Sequence, residues 1–266
     1  MASVTGSALK DFYKDLLHTS NSNSGLSTTI KQITCGDGDA TALSLSTRNV
    51  KAQPADDSTT NTVICDADGN ALVTVDSTND LVKLGIGQHT ANTQYANFGI
   101  GASDSLVYLA DTHYPMPFSG VSIGSFAIQD NITFGTGTDP ATTFTTADGA
   151  ATDASLLVPV MWFVPDNITI DGVTSFEGAT AATGDTTRMH LFSYTFASGS
   201  TSALTSGTLL AHNSDVTNAG SEQAYKSTWT VDSASVDANK VILAFFRSDS
   251  VYSDYSVSIT VKYHLR

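Results

Sequence analysis

The sequence predicts a mainly β fold: a short amphipathic N-terminal helix and a small β region, followed by a C-terminal jelly-roll-like β-sandwich. Three observations carry this. Ser and Thr fill 69 of the 266 positions (32 Ser, 37 Thr), while Glu occurs only at Glu177 and Glu222. Thr, Val and aromatic side chains fit a pleated, half-buried surface, and Glu is one of the stronger helix formers. Apolar residues also recur with period two, and only one stretch carries a helical period.

That stretch comes first. Ser7 is placed to cap a helix whose Leu9, Phe12, Tyr13, Leu16 and Leu17 fall at i, i+3, i+4, i+7 and i+8. Lys10, Asp11, Lys14 and Asp15 take the other face, and a run of turn formers from His18 to Gly25 ends it. A helix of about ten residues is marginal alone. Its stripe packs on its own domain or docks into a partner; the polar loop behind it favours docking.

Two short strands are expected at 28–34 and 41–47, joined by Cys35-Gly36-Asp37-Gly38-Asp39, with residues 51–61 as a linker. A hairpin follows, 62–65 and 71–75, around Asp66-Ala67-Asp68-Gly69-Asn70. Gly-Ile-Gly at 85–87 and 99–101 marks backbones in close approach, as near a symmetry axis. From about Ser119 the β pattern strengthens. Residues 156–164 contain Pro159, which fits an edge strand or a broken one. Met189 and Leu191 change phase to Phe192, Tyr194 and Phe196, so that strand bulges or buries both faces. Residues 225–231 alternate through Tyr225, Trp229 and Val231, and 241–246 are continuously apolar, as in a central strand. Tyr255, Val257, Ile259, Val261 and Tyr263 interleave with Ser256, Ser258, Thr260 and Lys262, a strand with one buried face. Roughly eight strands spaced by small polar loops predict a two-sheet sandwich.

Charge narrows the partners. The net charge is −14, and no Lys or Arg lies between Lys83 and Arg188. Phosphate-backbone binding needs clustered cations, so neither nucleic acid nor an anionic membrane surface is an expected ligand. Only 14% of residues are charged, against roughly 25% in ordinary domains. Such a surface is coated with Ser and Thr or occupied by other chains. The two cysteines, Cys35 and Cys65, form no disulfide framework; a single bridge is open to them, and free thiols are the expected state in a reducing cytoplasm. The first residues carry no secretory pattern, and the apolar run 156–164 is too short to span a bilayer.

No motif points to catalysis. Ser7-Ala8-Leu9-Lys10 matches Ser-x-x-Lys without its companion elements. Asp66 to Asn70 looks like a miniature calcium loop, but Ser77 stands where an EF-hand has its twelfth-position Glu, so a hairpin turn is the better reading. Glu177 and Glu222 lie in expected loops, where solvated carboxylates do no acid–base work. The six histidines never pair at i+2 to i+4, so no metal ligands and no cofactor are assigned. His89 and His113 are the positions where a threefold axis would gather imidazoles.

The run Leu16-Leu17-His18-Thr19-Ser20-Asn21-Ser22-Asn23-Ser24-Gly25-Leu26, then Ile30 to Ile33 and Gly36 to Ser46, resembles the opening of fibre-type virion structural proteins of tailed marine bacteriophages. That group includes tail fibres, head fibres and capsid decoration proteins. Asp237 to Phe245 and Val261 to Arg266 are similar to the last strands of their C-terminal heads. The resemblance covers the first 50 and last 110 residues and brings no catalytic residue. It implies a non-enzymatic homotrimer, made in the host cytoplasm and built into the virion. Residues 1–50 would attach to other virion proteins through Leu9, Phe12, Tyr13, Leu16 and Leu17. Residues 51–118 would form a linker and small β region near the axis, and 119–266 the head. That head would meet a host-surface glycan or protein through the loops 178–187, 198–207 and 248–254, with Tyr252 and Tyr255 as contact candidates, although core packing is the better reading of Tyr255. A capsid decoration protein or short head fibre is the alternative, since the chain lacks a repetitive shaft.

Overall fold

The computed structural model describes residues 17–19, 24–103, 109–118, 132–144, 157–180, 182–199, 204–251 and 254–266. The chain divides into two compact units, Met1–Ala91 and Asn92–Arg266, both built from antiparallel sheets. The expected helix, with Leu9, Phe12, Tyr13 and Leu16, lies outside the described residues; Leu17 is exposed.

In the first unit β1 (His18–Thr19), β2 (Lys31–Thr34), β3 (Ala40–Leu45) and β4 (Val50–Ala52) form one sheet in that order. A second holds β5 (Thr62–Cys65), β6 (Ala71–Asp76), β7 (Leu81–Leu84) and β8 (His89–Thr90). The hairpin between β5 and β6 falls where expected. Asp66 Oδ1 accepts the Asp68 and Asn70 amides, and Gly69 supplies the positive φ of 86°. The Asp66 carboxylate therefore braces a turn. The linker reading of 51–61 needs correction at its start. Val50 and Ala52 pair opposite Leu45 and Leu43, and these apolar cross-strand pairs draw Lys51 and Ala52 into β4. Cys35 and Cys65 are free thiols.

The second unit holds β9 (Thr93–Ser103), β10 (Tyr114–Pro115), β11 (Trp162–Val164), β12 (Ile168–Thr180), β13 (Thr186–Phe196), β14 (Leu204–His212), β15 (Val216–Thr217), β16 (Glu222–Thr228), β17 (Thr230–Val231), β18 (Ser235–Val236), β19 (Lys240–Ser248) and β20 (Asp254–Leu265). A front sheet runs β16-β12-β20-β9, with β18 on the end of β12. A back sheet runs β10-β19-β13-β14-β17, with β11 on β19 and β15 on β13. Phe98, Val173, Tyr255, Ile259 and Val261 of the front sheet share one core with Met189, Leu191, Ile242, Ala244 and Phe246 of the back sheet. The two sheets thus face each other across an apolar layer.

A second apolar cluster lies on the other side of the back sheet. Val241, Leu243 and Phe245 of β19 and Phe192 and Tyr194 of β13 are packed there under Ile132, Phe134, Leu157 and Val160. This explains the unbroken apolar run of β19: alternate residues serve two different layers. It also resolves β13, which buries both faces. Met189 and Leu191 point to the inner core, and Phe192 and Tyr194 to the outer cluster.

Two expected strands are corrected. Residues 158–160 form a 3₁₀ turn before β11, because Pro159 cannot donate into a ladder. Residues 225–231 are two strands in different sheets: β16 pairs with β12, and β17 with β14. Trp229 is the crossing point, its indole N–H donating to Ser175 Oγ at 2.9 Å inside the core.

Truncating a side chain of the outer layer tests its role. Phe245→Ala should lower the unfolding free energy by about 3–5 kcal/mol, whereas Ser258→Ala on the exposed front face should change it by less than about 0.5 kcal/mol. Urea unfolding of both variants checks the contrast.

Candidate functional site

The first unit presents its chemistry as surface. Residues directly opposite on neighbouring strands share a face. In the second sheet the rows Ile64–Val73–Leu84 and Thr62–Val75–Val82 therefore share one face, and all but Thr62 are aliphatic. Ile64 is 56% exposed, Leu84 44% and Val82 41%. In the first sheet Leu45 pairs with Val50, and Leu43 with Ala52, making a similar apolar side. Among the described residues of this unit only Thr74 and Asp76 are buried, and no hydrophobic side chain is. Buried Asp76 is held by Asn79 and by the Lys83 ammonium at 2.8 Å.

The second unit buries several titratable groups. On the outer side of the back sheet His190 stacks edge-on against His113, ring centroids 4.9 Å apart, with His212 at 6.5 Å on its other side. His190 and His113 are wholly buried. Burial pushes the His190 imidazole down to about 2 and lowers His113, so both are neutral bases at ordinary pH. His113 Nε2 lies 3.0 Å from the Gly137 carbonyl, and His212 Nδ1 lies 2.7 Å from Asp232. Among the described residues no group of three or more His, Cys, Asp or Glu has the arrangement to hold a metal ion.

Glu177 is a correction to the loop reading. It sits inside β12, paired with Tyr225 and Val257, and faces the core, because Val173, Ser175 and Glu177 alternate inward. Its Oε2 accepts the Thr187 hydroxyl at 2.8 Å from across the sandwich. Burial pushes its carboxyl up to about 7, against the single lowering effect of Thr187. Glu222 likewise opens β16 and lies on a strand.

The register that turns Glu177 inward turns Phe176 outward. The outer face of the front sheet carries the rows Thr228–Thr174–Thr260–Asn97, Lys226–Phe176–Ser258–Gly99 and Ala224–Gly178–Ser256. Phe176 is 59% exposed, and Tyr95, opposite Lys262, is 62% exposed. A depression of about 550 Å³ begins two residues along β12 from Phe176, at Gly178, and is lined by Thr180, Glu222, Ala224 and Ser256 among others but not by Phe176 itself. A side chain added at Gly178 would meet nothing within 4 Å, so its absence is what leaves the face open.

Of the expected contact residues, Tyr252 lies outside the described residues. Tyr255 is wholly buried, with its hydroxyl 3.4 Å from Asp185, and gives no ring face to a receptor. The expected tip 178–187 begins inside β12, and 198–207 ends inside β14. His113 is buried among its own chain's side chains rather than presented to an axis. Sequence reasoning missed Phe176 and Tyr95. The available signal was phase: Phe176 stands out of step with the inward Val173 and Ser175. The chain matches no known protein-family profile and no curated protein sequence.

Glu177 gives a pH dependence. Between pH 4.5 and about 7 the folded chain keeps a proton that the unfolded chain has released, so stability falls as pH rises through that window. Glu177→Gln should therefore match the parent at pH 4 and exceed it by about 3 kcal/mol at pH 8. Urea unfolding midpoints measured across this range check it.

Proposed function

We propose that this chain is a non-enzymatic bacteriophage virion structural protein, a homotrimeric tail fibre or spike. Its N-terminal region attaches to other virion proteins, and its C-terminal sandwich is a jelly-roll head that faces the host. The observation that carries the reading is the first unit's missing core. Two four-stranded sheets with alternating apolar faces and no buried hydrophobic side chain among their described residues need a cover to be stable. The cover must be present whenever the chain folds, and copies of the same chain always are. Closed symmetric homo-oligomers are the common solution.

Other observations support the parts of this reading. Strand order supports the jelly roll: β9, β20, β12 and β16 in one sheet and β10, β19, β13 and β14 in the other interleave as two Greek keys do. The resemblance of residues 16–46 and of the last strands to phage fibre-type proteins supports the virion setting, and with it assembly in the host cytoplasm. The low charge supports a surface shared between copies. The second reading, a capsid decoration protein or short head fibre, draws on one specific feature. The first unit passes into the second between Ala91 and Asn92 with no repetitive shaft between them.

Light scattering on the purified chain should give three times 27.8 kDa at micromolar concentration. The double variant Ile64→Asp/Leu84→Asp should shift that mass toward the monomer, because buried unpaired carboxylates are costly at an apolar interface. A monomeric parent with a protease-resistant first unit would end the trimer reading. Antibody to the second unit should label the tail of intact particles; label on the shell selects the decoration reading.

A further inference from the structure

The outer face of the front sheet differs in kind from the apolar faces of the first unit. Across β16, β12, β20 and β9 its central rows present Thr228, Thr174, Thr260, Asn97, Ser258 and Ser256. Aliphatic contact there is limited to Ala224. An obligate protein interface is apolar at its centre, and this face is not. Two aromatic rings nevertheless stand out of the hydroxyl carpet, Phe176 and Tyr95, each more than half exposed. They lie four residues apart along the strand direction and two strands apart across it, about 17 Å by strand geometry.

We propose that this face binds a neutral oligosaccharide, with Phe176 as the stacking platform and the depression beside it as the seat of one sugar ring. The inference rests on reading the second unit as a host-recognition head, and names its ligand class and its face. A pyranose ring offers a face of C–H groups and a rim of hydroxyls. The C–H face suits the negative face of an aromatic ring. The rim suits short hydroxyl and amide side chains held at fixed spacing by the sheet, as Thr260 is by its 3.0 Å hydrogen bond to Asn97. The depression, about 550 Å³, is lined in part by Gly178, two residues along the strand from Phe176, and the space over Gly178 is open. That volume lies within the range of small-ligand sites. The spacing of Phe176 and Tyr95 calls for a chain of sugars rather than one. Against Lys226 and Lys262 the face sets one carboxylate, Glu222 at the rim, and the chain as a whole carries −14. Those charges favour a neutral ligand over a polyanion.

The test uses the full-length protein in its assembled form. Calorimetric titration is run with neutral hexasaccharides (β-1,4-glucan, α-1,4-glucan, β-1,4-mannan and β-1,4-N-acetylglucosamine) and with one uronic-acid hexasaccharide. At least one neutral hexasaccharide should bind. Phe176→Ala should weaken that binding tenfold or more, Phe176→Trp should retain it, and Tyr95→Ala should weaken it for the hexasaccharide more than for the disaccharide. Melting temperatures should be unchanged, since both rings are exposed. Binding that Phe176→Ala leaves untouched, a preference for the uronic acid, or no binding to any panel member overturns the proposal. Failure here is distinct from failure of the virion reading. Particles that carry the protein but ignore every sugar sink only this inference, whereas particles lacking the protein sink the reading beneath it.

Discussion

The second unit depends on one strand that has no solvent face. β19 lies between β13 and β10 in the back sheet and sends Ile242, Ala244 and Phe246 one way and Val241, Leu243 and Phe245 the other. A strand apolar on both sides needs cover on both sides. The front sheet supplies one cover. The segment around Ile132 and Phe134, with Leu157 and Val160, supplies the other. The architecture is therefore three apolar-bonded layers, and some of the buried polar groups lie where the layers meet. Thr187 reaches Glu177 across the inner gap, and His113 and His190 lie under the outer cover. Burial favours the uncharged form of Glu177, His113 and His190, which is how an interior tolerates ionisable side chains.

The first unit inverts this logic. Its sheets carry aliphatic rows on one face, yet among the described residues those rows have no buried hydrophobic neighbour of their own to lie against. Alternation encodes a face, not the identity of what covers it. In the second unit the cover is another part of the same chain. In the first no described residue supplies one, and that gap is what the trimer proposal would fill. The same chain thus shows two sheet surfaces of opposite character, aliphatic rows in the first unit and hydroxyl rows on the second unit's front face.

Much of the fold was legible in the residues. β5, β6, β19 and β20 were marked by turn chemistry, by a continuous apolar run or by clean alternation. Their pairing partners were not, because register between distant strands depends on packing that no local window contains. Glu177 shows the limit well. Ser175-Phe176-Glu177-Gly178 has the composition of a loop, and only its place opposite Val257 in a 13-residue strand turns the carboxyl inward and the phenyl ring outward. Trp229 hid a second event. Tyr225 to Val231 alternates through the point where the chain leaves one sheet for the other, since a crossing that keeps the side chain inside keeps the period as well. Phe176 and Tyr95 could be found as aromatics out of phase with their strands, but not as members of one face. Tyr255 was legible as core from its alternation.

The position of β20 in the front sheet has a consequence for biosynthesis. It comes last of the unit's strands in chain order, yet it fills the gap between β12 and β9, and among the described residues β9 pairs within that sheet with β20 alone. The Asn92 side chain even donates to the Leu265 carbonyl at 2.6 Å, tying the first residues of the unit to its last strand. Until Asp254 to Leu265 has been made, β9 waits with open edges more than 150 positions from its partner, the kind of non-local pairing that folds slowly. A chain cut short of this point leaves β9 unpaired in the front sheet and the sandwich open. Synthesis of β20 thereby becomes the step on which closure of the sheet waits.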